Sequence, residues 1–282
     1  MRIFVIVLFI LLSCSCSFGF MVSDDNFQKE IRVLKELDID PKYINDEHFL
    51  RLKNVRMDMT KKEFINTITK EYKHAAIIKD VLKERNAPDF LLYLAIVESK
   101  LSNRATSGAK AAGIWQFIPS TAKLHNLEVD KYVDERRDPL QATHAAIDYL
   151  ERLKDRFGKW YLAILAYNAG EGKLSKAIKL AGSDDIMVLL NPKKKYLPLE
   201  SRDYLRKIIM MAYVANDSDF LISKDSSMLN SATYIGIEKV DIPGGISLRD
   251  VASTIGFSIE KLSQYNTHLR YSFTPPNRDK YY

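Results

Sequence analysis

Cysteine is nearly absent from this 282-residue chain: it has two, Cys14 and Cys16, both close to its start. The body beyond them therefore has neither disulfide nor thiol chemistry. Glycine and proline are sparse, with 11 and 9 residues, which excludes a collagen-like or low-complexity chain. After the first twenty residues no run is apolar and long enough to cross a bilayer, which takes about 20 residues. His48, His74, His125, His144 and His268 show no metal-ligand spacing such as His-Glu-x-x-His. No Gly-x-x-x-x-Gly-Lys loop is present, so nucleotide chemistry is unsupported. The expectation is no metal and no cofactor.

What is present is an ordinary globular balance, 46% hydrophobic and 28% charged, which excludes disorder throughout. The length suits one or two domains. The net charge of +6 suits an anionic partner, whether nucleic acid, membrane surface or anionic polymer, and does not choose among them.

The start reads as a secretory signal peptide over residues 1–19. Arg2 precedes an apolar run from Ile3 to Leu12, and small residues follow from Ser13 to Gly19. The apolar run is too short for a membrane anchor. Two processing routes compete. Leu11-Leu12-Ser13-Cys14 resembles a bacterial lipobox, which would leave a lipidated Cys14 and attachment to the outer membrane. Ser17-Phe18-Gly19 instead offers ordinary cleavage after Gly19.

Four further regions follow. Residues 24–80 read as polar helical segments, with Phe27, Ile31, Leu34 and Leu37 at helical spacing. Residues 81–215 are strongly helical. Pro88 can open a helix as its first residue, and Leu91, Leu94, Ala95 and Glu98 then share one face. Asp138-Pro139 starts another helix, with Ala142, Ala145, Ala146, Tyr149, Leu150 and Leu153 as its buried stripe and Gly158 past its end. A third helix runs from Trp160 to Ala169. A fourth, about 200–215, carries Tyr204, Ile208 and Met211. Residues 216–232, rich in Ser and Asp, read as a linker, and 233–282 as a small module.

Glu98 stands out because a carboxylate on an apolar helix face is costly unless paired or protonated. Desolvation raises its pKa and keeps it protonated near neutrality, which is the state a general acid needs. Periodicity alone fits better a glutamate at a helix end that reaches solvent or pairs with an arginine.

The surroundings add more. Glu98-Ser99 is followed by Ala105-Thr106-Ser107-Gly108-Ala109, then by Gly113-Ile114-Trp115-Gln116-Phe117, then by Ala166-Tyr167-Asn168-Ala169-Gly170, with Glu200 and Tyr204 four apart on a later helix. In order and spacing these motifs resemble the lytic transglycosylases of the murein transglycosylase D type, over about 130 residues. The resemblance implies a mainly α fold: a lysozyme-like helical catalytic domain with a groove for a glycan strand. It makes Glu98 the single catalytic acid. Ser107 and Gln116 match positions that bind N-acetylated sugars. Trp115 stands where many relatives carry Met beside the acid. Tyr167 and Asn168 match the groove wall, and Tyr204 matches a tyrosine whose hydroxyl approaches the carboxyl. Trp115 and Tyr167 could also be core aromatics, and Asn168 a helix cap. Glu200 reads as structural.

Most glycoside hydrolases use two carboxylates, whereas the aligned motifs supply one. Asp89 lies more than two turns from Glu98, and Glu171 is the only competitor worth testing. The resemblance implies that Glu98 protonates the oxygen bridging N-acetylmuramic acid and N-acetylglucosamine. It then takes the proton of the sugar's C6 hydroxyl as that oxygen closes on C1, giving a 1,6-anhydro end. The expected partner is peptidoglycan in the bacterial periplasm, with no nucleic acid and a monomeric protein. The alternatives are a goose-type-lysozyme-like hydrolase of the same bond and a non-catalytic wall-binding protein.

In the last region Leu248, Val251, Ala252, Ile255, Ile259 and Leu262 mark helix, turn, helix. A DNA-binding helix-turn-helix has this layout, and so does the small α+β LysM fold. Val240 to Pro243 as a leading strand, Tyr265-Asn266 at the end of the second helix, and a single basic residue, Lys261, in that helix favour a LysM-like module. No second strand is evident after Asn266, so the module reads as divergent or incomplete. Lys193-Lys194-Lys195 reads as a solvated loop.

Overall fold

The computed structural model describes residues 25–225, 237 and 239–282. The signal peptide read over 1–19, with Cys14 and its lipidation, lies outside these residues. Among the described residues the architecture is mainly helical with one two-stranded sheet. Among the described residues no helix is long and apolar enough to cross a membrane.

Three helices lead: α1 (Asp25–Glu36), α2 (Glu47–Lys70) and α3 (Tyr72–Glu84). Asp46 starts α2 by accepting the Phe49 amide at 2.8 Å, which satisfies an orphan donor of the first turn. Helix α4 (Phe90–Ser99) is apolar nearly throughout. It begins two residues after Pro88, which stands before the helix and not at its first position; the Pro88 carbonyl accepts the Leu91 amide. The short α5 (Pro119–Leu124) precedes α6 (Pro139–Phe157), opened by Asp138 accepting from Leu140 and Gln141 and closed by Gly158 at φ 80°. Then come α7 (Trp160–Ala169), α8 (Glu171–Ala181), α9 (Ile186–Leu189), α10 (Leu199–Ala215) and α11 (Ser218–Lys224).

Helix α10 packs on α2, α4 and α7, and α6 packs on α3 and α7. An apolar helix such as α4 or α7 has to be covered on all sides, and these neighbours cover it. Residues of α1 to α3, among them Leu34, Phe49, Phe64 and Ile78, belong to the same core as Leu94, Leu165 and Ile208. The leading helices are thus one wall of the body. Residue 81, where the sequence suggests a new region, falls inside α3.

The stretch read as a linker differs in its first part. Asp217 caps α11 through the Phe220 amide, and Leu221 is buried. Lys61 pairs with Asp217 at 3.1 Å. The Ser- and Asp-rich composition here supplies a cap, not a flexible tether. Tyr149, read as part of the buried stripe of α6, is only half-buried.

The C-terminal segment is β1 (Ile242–Pro243), α12 (Leu248–Ile255), α13 (Ile259–Tyr265) and β2 (Lys280–Tyr281), with β1 and β2 antiparallel and Ile242 opposite Tyr281. The second strand that the sequence seemed to lack is therefore present, delayed to the last residues by the intervening turn-rich stretch.

Candidate active site

Glu98 occupies the last turn of α4 and is half-buried. Immediately after the helix, Lys100 and Leu101 both adopt positive φ, 54° and 59°, a conformation non-glycine residues rarely take. They reverse the chain at the edge of the core. Ser99 fixes this helix end to the next motif: its hydroxyl donates to the Ile114 carbonyl at 2.7 Å.

That next motif is a tight turn over residues 113–117. Gly113 has φ 79°, and a Cβ there would stand 1.7 Å from the Arg136 carbonyl oxygen. Only glycine lets the two backbones approach this closely. Gln116 also has positive φ, 49°, and its side-chain amide donates back to the Gly113 carbonyl at 2.8 Å. Arg136, buried, donates to the carbonyls of Lys110 at 2.8 Å and Phe117 at 3.1 Å, and grips Asp134 with two further bonds at 2.7 and 2.9 Å. Backbone carbonyls that would otherwise be orphaned are satisfied in this way.

From the opposite side, Tyr204 of α10 donates its hydroxyl to Glu98 Oε1 at 2.5 Å. Tyr167 of α7 donates to the Trp115 carbonyl at 2.6 Å. Burial pushes the Glu98 pKa up to about 7; the Tyr204 hydrogen bond opposes this, and the negative charge of Glu200 adds to it. Burial likewise raises both tyrosines well above the usual phenol value, with the Glu98 charge reinforcing it. The site thus holds a carboxyl that is partly protonated at neutral pH beside two neutral phenols.

Of the residues singled out in the sequence, Glu98, Tyr204 and Tyr167 are brought together electrostatically, and Gln116 and Trp115 share the turn beside them. Ser107 is exposed. Its hydroxyl accepts the Ala111 amide at 3.1 Å and so shapes its own turn. The Asn168 side chain is half-exposed at the C-terminal end of α7; the helix cap is Gly170. Trp115 is the correction. Its ring is fully buried and its indole N–H donates to Thr143 Oγ1 at 2.9 Å, so the ring offers no face to a substrate. The large apolar ring is worth more in the core than at a wet groove.

Glu171, the competing carboxylate, is held by Arg152 at 2.8 Å and by Arg156. The Arg152 hydrogen bond leads in pulling its pKa below the usual carboxylate value. Glu200 is exposed and senses Glu98 through charge alone.

Sequence reasoning missed two features. The first is Asp134-Glu135-Arg136-Arg137, a run of four charged residues of which Asp134, Glu135 and Arg136 are buried. Its one signal is the position directly before the Asp138 cap. The second is an aromatic cluster: His125 and Tyr149 lie 4.7 Å apart and Tyr149 and Tyr167 5.3 Å apart between ring centres, with Phe117 against them.

A half-buried glutamate, a glycine-dependent turn and two tyrosines thus meet in one helical body. Residues 75–189 match the family described as Transglycosylase SLT domain, and residues 236–281 match the LysM-like domain of lytic transglycosylase MltD. The chain therefore carries a transglycosylase SLT domain joined to a LysM-like module of the murein transglycosylase D type. It is 35% identical over 198 residues to membrane-bound lytic murein transglycosylase D of Escherichia coli K12. The same identity holds for that of Escherichia coli O6:H1. The match takes in 67% of this chain and 41% of the relative's length.

Proposed function

We propose that the protein is an exported lytic transglycosylase that cleaves peptidoglycan between N-acetylmuramic acid and N-acetylglucosamine. The observation that carries this reading is the placement of Glu98, half-buried at the end of α4 and hydrogen-bonded at 2.5 Å to the Tyr204 hydroxyl. A carboxyl whose pKa stands at about 7 both donates and retakes a proton near neutral pH.

In the reaction, the Glu98 proton goes to the bridging oxygen as the C1–O bond breaks, and the leaving sugar departs with a hydroxyl. The C6 hydroxyl oxygen of the muramic residue then bonds to C1 and its proton passes to the Glu98 carboxylate. The acid is restored, and the product is a 1,6-anhydro end with no water consumed. Tyr204 orients the carboxyl through its hydrogen bond. Ser107, Gln116 and Asn168 contribute polar groups for the acetamido sugars, and the half-buried rings of Tyr149 and Tyr167 offer faces for sugar packing. Export rests on the signal-peptide pattern of residues 1–19. The words "membrane-bound" in the relatives' name accord with attachment through a lipidated Cys14.

The test is digestion of purified peptidoglycan with mass analysis of the products, using the natural chain, Glu98→Gln and Glu171→Gln. The expected result is anhydro products, lighter by one water than lysozyme products. They should be abolished by Glu98→Gln and retained in Glu171→Gln. Hydrated, reducing ends would make the enzyme a hydrolase on the same fold. A folded but active Glu98→Gln would remove the assignment of the acid.

A further inference from the structure

The C-terminal module is fastened to one strip of the helical body, and the same strip holds the turns of the candidate groove. On the module side, Thr267 accepts from Asn103 at 2.7 Å and donates to the Arg137 carbonyl at 3.0 Å. The His268 carbonyl accepts the Asp134 amide, and the Arg270 amide donates to the Tyr132 carbonyl, both at 2.8 Å. The Arg270 guanidinium reaches Asp134 Oδ2 at 3.4 Å. The hydroxyls of Tyr281 and Tyr282 both donate to Glu135 Oε1, at 3.0 and 3.1 Å.

On the groove side, Arg136 ties Asp134 to the carbonyls of Lys110 and Phe117. Arg137 donates to the carbonyls of Asn103 and Ala105 at 3.2 and 3.3 Å and to Thr106 Oγ1 at 2.7 Å. Asp134 is only 2% exposed, so its charge depends on the arginines around it. Burial alone would raise its pKa, but Arg136 first, with Arg270 and Arg137, holds it below the usual value. Asp134 is therefore shared between the two sides. A buried polar network of this kind has few alternative arrangements.

We propose that the LysM-like module braces the sugar-binding turns, with Thr267, Arg270, Tyr281 and Tyr282 as positioning residues that act on Ser107 and Gln116 through Asp134–Arg137. The kinetic part of this proposal rests on the transglycosylase reading; the structural part does not. Loss of the ties loosens residues 103–117 while leaving Glu98, which is held by α4 and Tyr204, in place. The consequence is weaker substrate binding with an unchanged proton donor.

The experiment uses the full chain with Thr267→Val/Arg270→Gln, with Arg270→Lys as the conservative variant, and with Tyr281→Phe/Tyr282→Phe. Amide hydrogen exchange is followed over residues 103–117 and over α4. Exchange in 103–117 should rise about tenfold in the first variant, with α4 unchanged and with partial recovery in Arg270→Lys. On peptidoglycan, KM should rise several-fold with the pH profile unmoved. A rise that includes α4 marks unfolding, and the milder tyrosine variant then decides. Unchanged exchange over 103–117 in the variants that stay folded overturns the brace, whatever the module itself does. Absence of cleavage by the natural chain overturns the functional reading and leaves the exchange result to judge the brace.

Discussion

Replacing Glu98 by Gln should stabilise the protein, and only at high pH. The carboxyl titrates near 4.5 in an unfolded chain and at about 7 in the fold, chiefly because burial disfavours its charge. Between those values the folded state binds more protons than the unfolded state, so stability falls as pH rises. The loss begins above pH 4.5 and is complete above about pH 7. At about 1.4 kcal/mol per pH unit it amounts to roughly 3 kcal/mol. Gln has nearly the same shape, still accepts from the Tyr204 hydroxyl and carries no charge. Thermal melts of the natural chain and Glu98→Gln should therefore coincide near pH 4 and separate by roughly 5–10 °C at pH 8.5, with the variant higher. Every other titrating group is common to both proteins, so the difference isolates Glu98. A gap that stays constant from pH 4 to 9, or a natural chain that is the more stable at pH 8.5, would refute the reasoning.

Two other perturbations follow from the same geometry. In Tyr204→Phe the hydrogen bond that lowers the Glu98 pKa is lost. The alkaline limb of kcat/KM against pH should then move upward while kcat falls about tenfold or more; a limb that moves down would contradict the assignment. Trp115→Phe removes the indole bond to Thr143 and leaves unfilled core volume. Denaturant titration should show a loss of about 2–4 kcal/mol, with kcat of the folded fraction little changed, because only the Trp115 carbonyl faces the site through Tyr167.

The helices and the helix face that carries Glu98 were legible because both obey local rules. The face shared by Leu91, Leu94, Ala95 and Glu98 is set by a 3.6-residue period, and Asp138-Pro139 is a start signal that depends on adjacent residues alone. The turn was legible only through its motif: nothing in Gly113 by itself says that Arg136 will lie against its backbone. Trp115 misled because an aromatic next to polar Gln116 reads equally well as a groove wall or a core residue. Thr143, one turn into a distant helix, decides between them. The burial of the charged run Asp134 to Arg137 went unread because burial of opposite charges depends on pairing across the fold. The delayed strand at Lys280–Tyr281 escaped notice for a related reason: two residues are too few for a period, and its pairing to Ile242–Pro243 is long-range.

Two glutamates in this chain differ in what they could do in the proposed two-step reaction. Glu171 sits between Arg152 and Arg156, and its pKa is lowered. Such a group is ionised throughout the neutral range, so it has no proton to give, and its affinity for one is too low to take it from a sugar hydroxyl. Among the described residues Glu98 has no salt bridge; its hydrogen-bond partner is the neutral Tyr204, and the charge that acts on it is the like charge of Glu200. In the proposed reaction, donation of its proton leaves a carboxylate that burial and Glu200 both disfavour, and this same cost favours removal of the C6 proton in the second step. An arginine beside Glu98 would ease the first product state and weaken the second step. The groove therefore depends as much on the cation it keeps away from Glu98 as on the tyrosine it places against it.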